Sequence, residues 1–282
     1  MPETKTVLIT GSSSGIGKAA AIYFAKHGWN VAATMRNPSN DHELSKVENV
    51  RLYKLDVTDE PGIQSALAAV LKDFRQIDVI VNNAGYGTTG IFEKAGKEQI
   101  QKQFDTNLFG VMNVVRQILP YFRSRRAGTI INVSSMGGLM TFPLYSLYHG
   151  TKWALEGFSE GLLHEVRQFN IKIKLVEPGA IRTDFYDRSQ EFFKKDGFNE
   201  YDPYEKIAYA NLQKEGATAP GPELVAKTIY KAATSRTFRL RYPAGPLAPF
   251  LLFLRRILPN SWFFAMVRMV VEKGFKKILP LT

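Results

Sequence analysis

TVLITGSSSGIG, Thr6 to Gly17, opens with a short apolar strand that runs into three closely spaced glycines. A helical pattern follows at once through Ala20, Phe24 and Ala25. Strand, glycine-rich turn and helix is the arrangement that holds a dinucleotide pyrophosphate. Glycines let the backbone come close to the phosphates, and the helix start offers free N–H groups and a positive dipole end. A glycine triplet can also be an ordinary turn, but this one sits at the first strand–helix junction, where that mechanism requires it.

Working outward, further apolar strands are expected at Asn30–Met35, Val50–Leu55, Ile77–Val81, Thr129–Val133 and Ile171–Val176. Helical patterns separate them: Asp59 or Thr58 can cap one running to Phe74, and another carries Phe104, Asn107, Val111 and Val114 and leads to Pro120. Strands alternating with helices predict an α/β fold, a doubly wound, mostly parallel sheet with helices on both faces. With no repeat or linker, one domain over residues 1–282 is the simplest organisation. In such a fold the end of the second strand meets the adenosine ribose, where an acid would favour NAD(H). Here Met35 stands at that point and Arg36 follows. A guanidinium suits a 2′-phosphate, so the balance falls to NADP(H) over NAD(H), against the alternative of a solvated surface arginine.

The run GTIINVSSMGGLMTFPLYSLYHGTK, Gly128 to Lys152, carries the chemistry. Tyr148 and Lys152 lie four residues apart at the start of a helical pattern, so both face one site. A free phenol has a pKa of about 10 and is a poor acid or base at neutral pH. A lysine cation within a few ångströms favours the phenolate, and Tyr148 could then exchange a proton with a carbonyl or alcohol oxygen. Ser135, behind the preceding strand, could hydrogen-bond the same oxygen. Such a pair also arises by chance on many helices, and it gains weight only beside a redox cofactor.

Composition bounds the rest. A hydrophobic share of 45% and a charged share of 22% are ordinary for a globular protein. There is no cysteine, which excludes disulfides and thiolate metal sites and is compatible with a cytoplasmic setting. His27, His42, His149 and His164 show no metal-ligand spacing, so no metal is expected. The start MPETKTVLIT lacks the layout of a signal peptide. Net charge is +11, and from Arg236 onward nine basic residues stand against the single acid Glu272.

In this order the motifs resemble the short-chain dehydrogenase/reductase family. The resemblance rests on Thr10–Gly17, on Asp56 after the third strand and on Asn82-Asn83-Ala84-Gly85 after the fourth. It continues with Asn107 on the next helix, then Ser135, Tyr148 and Lys152, and Pro178-Gly179 with Thr183. The match covers residues 5 to 185. It implies Tyr148 as general acid/base, Lys152 as its electrostatic partner and a ligand of the nicotinamide ribose, Ser135 as the group orienting the carbonyl, and Asn107 as the holder of a relay water. By spacing ahead of the tyrosine it picks Ser135, with Ser134 as the fallback. It further implies cofactor contacts from Gly11, Ser13, Ser14, Gly15, Ile16 and Gly17, from Arg36, Asp56 and Val57, from Asn83, Ala84 and Gly85, and from Pro178, Gly179, Ile181 and Thr183. Within the family the chain looks most like the hydroxysteroid- and retinol-type branch and its bacterial ketoreductase relatives, and a homo-oligomer is implied.

Two segments are not set by that resemblance. Residues 180–221 carry Phe185, Tyr186, Phe192, Phe193, Phe198, Tyr201, Tyr204 and Tyr209. Either this aromatic stretch is a lid over a bulky apolar substrate, or its rings pack on the protein itself. The basic and apolar tail, 242–282, is broken by Pro243, Pro246, Pro249 and Pro259 and falls short of a spanning helix. A wall of the substrate pocket or a subunit contact is favoured there over an anionic membrane surface. No nucleic-acid role is expected, because the basic residues follow no binding module. The reading is thus an NADP(H)-dependent oxidoreductase interconverting a ketone or aldehyde and an alcohol. The alternatives are a non-enzymatic NADP-binding regulator and a sugar-nucleotide enzyme of the extended relatives. Retention of Ser135, Tyr148, Lys152 and Asn107 speaks against the first, and chain length and glycine spacing against the second.

Overall fold

A computed structural model describes residues 4–182, 190–193, 195, 197–217 and 219–275. In chain order they form β1 (Thr6–Thr10), α1 (Gly15–Lys26), β2 (Asn30–Met35), β3 (Val50–Lys54), α2 (Glu60–Phe74), β4 (Val79–Asn82) and β5 (Gly87–Thr89). Next come α3 (Lys97–Phe104), α4 (Gly110–Arg125), β6 (Gly128–Val133), α5 (Ser146–Val166), β7 (Ile171–Pro178) and β8 (Gln190–Phe192). The rest is α6 (Asp202–Ala217), α7 (Glu223–Thr234), β9 (Arg241–Ala244), α8 (Ala248–Ile257) and α9 (Asn260–Val271).

Seven strands form one sheet in the order β3-β2-β1-β4-β6-β7-β9, and every neighbouring pair is parallel. Both faces are covered, which explains why the strands read as continuous apolar runs rather than alternating ones. Along β1, Val7 and Ile9 join a core with Ala20 and Phe24 of α1 and Val225 and Ile229 of α7. Leu8 points the other way, into a core with Ile63 and Leu67 of α2, Val111 and Val114 of α4 and Leu155 of α5. The period of two in the strand thus feeds two cores.

From β1 the chain builds outward through β2 to β3, then returns to start again on the other side with β4. The strand ends at that reversal leave a crevice, the usual ligand position in such sheets. β5 and β8, not expected from the sequence, pair as a second, two-stranded parallel sheet, and two further elements depart from the sequence reading. Pro120 lies inside α4, which runs on to Arg125 and closes at Arg126 with a left-handed φ of 48°. β9 is a seventh strand carrying Pro243, tolerated because β9 is the edge, where a ladder donor is dispensable.

Candidate active site

A cleft of about 1430 Å³ opens at the β1/β4 reversal. Gly11, Ser13, Ser14, Gly15 and Ile16 line it, as do Arg36, Asp56, Val57, Asn83, Ala84 and Gly85. So do Ser135, Tyr148, Lys152, Pro178, Gly179 and Ile181. Of the remaining expected residues, Gly17 and Asn107 lie behind the wall, and Thr183 falls outside the described residues.

The glycine turn shows why these residue types are needed. Gly11 has φ +68°, and a Cβ there would sit 2.8 Å from Ala84 Cα. Asn83 Nδ2 donates to the carbonyls of Thr10 (3.0 Å) and Gly11 (3.1 Å), while Thr10 Oγ1 accepts from the N–H groups of Asn83 and Ala84 at 3.0 Å each. The loop after β4 is thereby pinned to the loop after β1. Ser14 starts α1 without capping it through its side chain, so the first N–H groups of the helix face the cleft with no intrahelical or side-chain partner. That is a cradle for an anion at a positive dipole end, and the residues present fit a dinucleotide pyrophosphate.

At the far end of β2, Met35 is buried and Arg36 is exposed on the cleft rim. Among the described residues no carboxylate pairs with Arg36. Asp56 Oδ1 accepts from the N–H (3.0 Å) and hydroxyl (2.8 Å) of Thr58, so it shapes its own turn while facing the cleft.

Tyr148 and Lys152 share one face of α5. Lys152 Nζ lies 5.7 Å from the Tyr148 ring centroid and donates to Val133 O at 2.9 Å. Burial pushes the Lys152 ammonium down to about 8, with Glu156 opposing the shift. Ser135 Oγ accepts from Gly137 N–H at 3.0 Å, which holds it at the cleft and leaves its proton to donate. Ser134 instead packs beside Glu156 behind the Gly138 backbone. His149, next to Tyr148, is neutral: burial pushes its imidazole down to about 3, and its Nδ1 faces the Phe142 N–H at 3.3 Å.

Asn107 sits in a widened turn between α3 and α4, where the Gly110 N–H reaches back to Asp105 O. Both ends of its amide are taken by Tyr86: Nδ2 donates to Tyr86 O (2.8 Å) and Oδ1 accepts Tyr86 N–H (3.1 Å). These two bonds brace the loop after β4. Gly17 belongs to the same framework. It packs against Gly11 and Asn83 and does not reach the cleft.

Behind Lys152 lies a charge cluster that sequence reading missed. Glu156 and Glu160 continue the four-residue spacing of Tyr148 and Lys152, a visible signal. Arg241 of β9 and Glu177 of β7 carried none. Arg241 reaches Glu156 (3.2 Å), Glu160 (2.9 Å) and Glu177 (3.3 Å). One guanidinium cannot neutralise three carboxylates, and burial together with Glu156 pushes Glu177 up to about 8. An unfolded glutamate releases its proton near 4.5, so between there and about 8 the folded chain binds more protons, and stability from this group falls as pH rises. Glu177→Gln removes that dependence. Its melting temperature relative to the parent is expected to rise from about pH 5 to about pH 8 in a fluorimetric melt. A constant difference would show that Arg241 keeps Glu177 ionised.

The end of the cleft beyond Tyr148 is walled by Met136, Met140, Phe142, Tyr145, Leu251 and Val267. The described lid aromatics go elsewhere: Phe192 packs edge-on against Tyr209 (5.1 Å), Phe193 is buried, and Tyr204 bonds Glu272 at 3.0 Å. Of the two readings for residues 180–221, self-packing describes these rings, while Phe185 and Tyr186 lie outside the described residues. Among the described residues there is no cluster fit to hold a metal and no helix long and apolar enough to cross a membrane.

The short chain dehydrogenase family pattern matches residues 5–192. The chain belongs to that family. It is therefore an oxidoreductase, and the family binds a nicotinamide cofactor. A 3-ketodihydrosphingosine reductase of Bacteroides thetaiotaomicron is 36% identical, over 87% of this chain and 89% of its own. Among solved structures, a short-chain dehydrogenase from Streptomyces avermitilis superposes with a TM-score of 0.81 at 32% identity, covering 95% of this chain and 97% of its own. ElxO with NADP bound superposes at 0.71 and 30% identity, covering 85% and 97%.

Proposed function

We propose that this protein interconverts a ketone and a secondary alcohol on an apolar substrate, using NADP(H), in the cytoplasm. The observation that carries the reading is the placement of Tyr148, Lys152 and Ser135 in the same cleft as the uncapped start of α1. The chemistry NADPH would supply, when bound, is hydride to the carbonyl carbon. Tyr148 gives its phenolic proton to the carbonyl oxygen, and in the reverse direction takes one from the alcohol. Lys152 stabilises the phenolate left behind and would hold the nicotinamide ribose. Ser135 donates its hydroxyl proton to the same oxygen and fixes the carbonyl's orientation. Gly11, Ser13–Ile16, Asp56, Val57, Asn83–Gly85, Pro178, Gly179 and Ile181 form the cofactor wall.

The apolar wall, and a relative named for reducing a keto-sphingoid base, support a long-chain or bulky ketone. Arg36 and the NADP-bound neighbour support the phosphorylated cofactor. Arg36→Asp tests this in a steady-state assay following nicotinamide absorbance against a ketone panel. A charge-assisted contact contributes about 1.5–3 kcal/mol, so the KM for NADPH is expected to rise roughly 10- to 100-fold, with that for NADH little changed. Turnover of the parent with NADH alone would sink the NADP assignment and leave the reductase.

A further inference from the structure

The tail helices present two different faces. Inward, Leu251 of α8 and Val267 of α9 line the cleft. Outward, Leu247, Phe250, Phe253 and Ile257 follow one face of α8 and its approach, and Trp262 and Met269 one stripe of α9. Exposure of these large side chains is high, 68% for Trp262 and 69% for Met269. α9, NSWFFAMVRMVV, has one charged residue, Arg268, and that is paired with Glu272 at 3.3 Å. A helix apolar all round is stable only when its whole circumference is covered, yet here one side stands open.

We propose that the outer face of α8 and α9 rests on the headgroup layer of an anionic bilayer. Charge selects this occupant over a second copy. Arg256 and Lys273 are exposed beside the patch, and neither forms an ion pair among the described residues. Two copies meeting on this face would set Arg256 and Lys273 of one against those of the other, whereas acidic headgroups complement them. Leu247 is both exposed and part of the cleft wall, so the patch continues into the cleft mouth. An apolar substrate can then pass from the lipid to the cleft without crossing water. This last step rests on the ketoreductase reading; the surface itself does not.

The test is flotation of the full chain with vesicles of phosphatidylcholine, with and without phosphatidylserine, alongside quenching of tryptophan by brominated acyl chains. The parent is expected to float with serine-containing vesicles, to be released by high salt, and to be quenched through Trp262. The double variant Phe253→Glu/Trp262→Glu, whose changes avoid the cleft wall, is expected to stay in solution and still turn over a short water-soluble ketone. Arg256→Glu is expected to weaken flotation without altering the melt. A parent that stays at the bottom with both vesicles overturns the proposal. So does a dimer in sedimentation that the double variant splits, which would place a second copy on this face. Flotation without any ketone turnover would sink the reductase reading and leave the membrane surface standing.

Discussion

Tyr148→Phe is expected to lower kcat by about 10³-fold, inside the 10²- to 10⁴-fold range of a lost general acid/base, while NADPH binding stays within about twofold. Removing one hydroxyl leaves the ring in place beside Lys152, whose ammonium lies 5.7 Å from the ring centroid and keeps its bond to Val133 O. The two readouts must therefore separate. On the proposed mechanism cofactor affinity comes from the glycine turn and the start of α1, whereas the proton comes from one oxygen. Turnover is followed by nicotinamide absorbance and binding by NADPH fluorescence. Retained turnover would remove Tyr148 from the mechanism and turn attention to Ser135 acting through water.

Gly17→Ala is expected to weaken NADPH binding at least about tenfold and to destabilise the fold by about 1–3 kcal/mol, the range of an overpacked site. A Cβ at this position would lie 2.3 Å from Gly11 O and 2.5 Å from Asn83 Nδ2. Neither neighbour can yield without loss: one is backbone of the cofactor turn, and the other bonds Thr10 and Gly11. At about 2–4 °C per kcal/mol for a chain of this size, the melting temperature should drop by several degrees. Gly157→Ala in α5 is the control. Nothing lies within 4 Å of its Cβ position, and alanine is favoured over glycine in a helix by about 1 kcal/mol. Equal losses in both variants would mean that the turn tolerates a methyl.

These two effects trace to residues legible in the sequence, but their reasons divide. Gly17 stood out because three glycines followed an apolar strand, and a cofactor contact was the natural inference. In the fold it also has a packing role, since its neighbours are residue 11 and residue 83, and the second of these contacts is one that no local pattern announces. Asn107 is similar. Its position on the helix was readable, yet its amide partners, both on Tyr86, depend on a widened turn. The lid aromatics were visible as composition, but which way each ring turns depends on α9 packing back over α6, through contacts such as Asn211 Nδ2 to Val271 O at 2.9 Å.

By itself the sequence determined the layered α/β plan, six of the seven strands of the main sheet, the glycine turn, Arg36 at the end of β2, and the Tyr148–Lys152 pair. All of these depend on short-range spacing: period two or uninterrupted apolar runs for strands, four residues on a helix, a glycine cluster at a junction. Only the tertiary structure decided that β9 completes the sheet, that Arg241 gathers Glu156, Glu160 and Glu177 behind Lys152, and that the tail is half cleft wall and half exposed apolar face. Those outcomes join residues from distant parts of the chain. Burial and charge pairing are properties of the assembled sheet, because a side chain's solvent and partners exist only once the strands have brought them together.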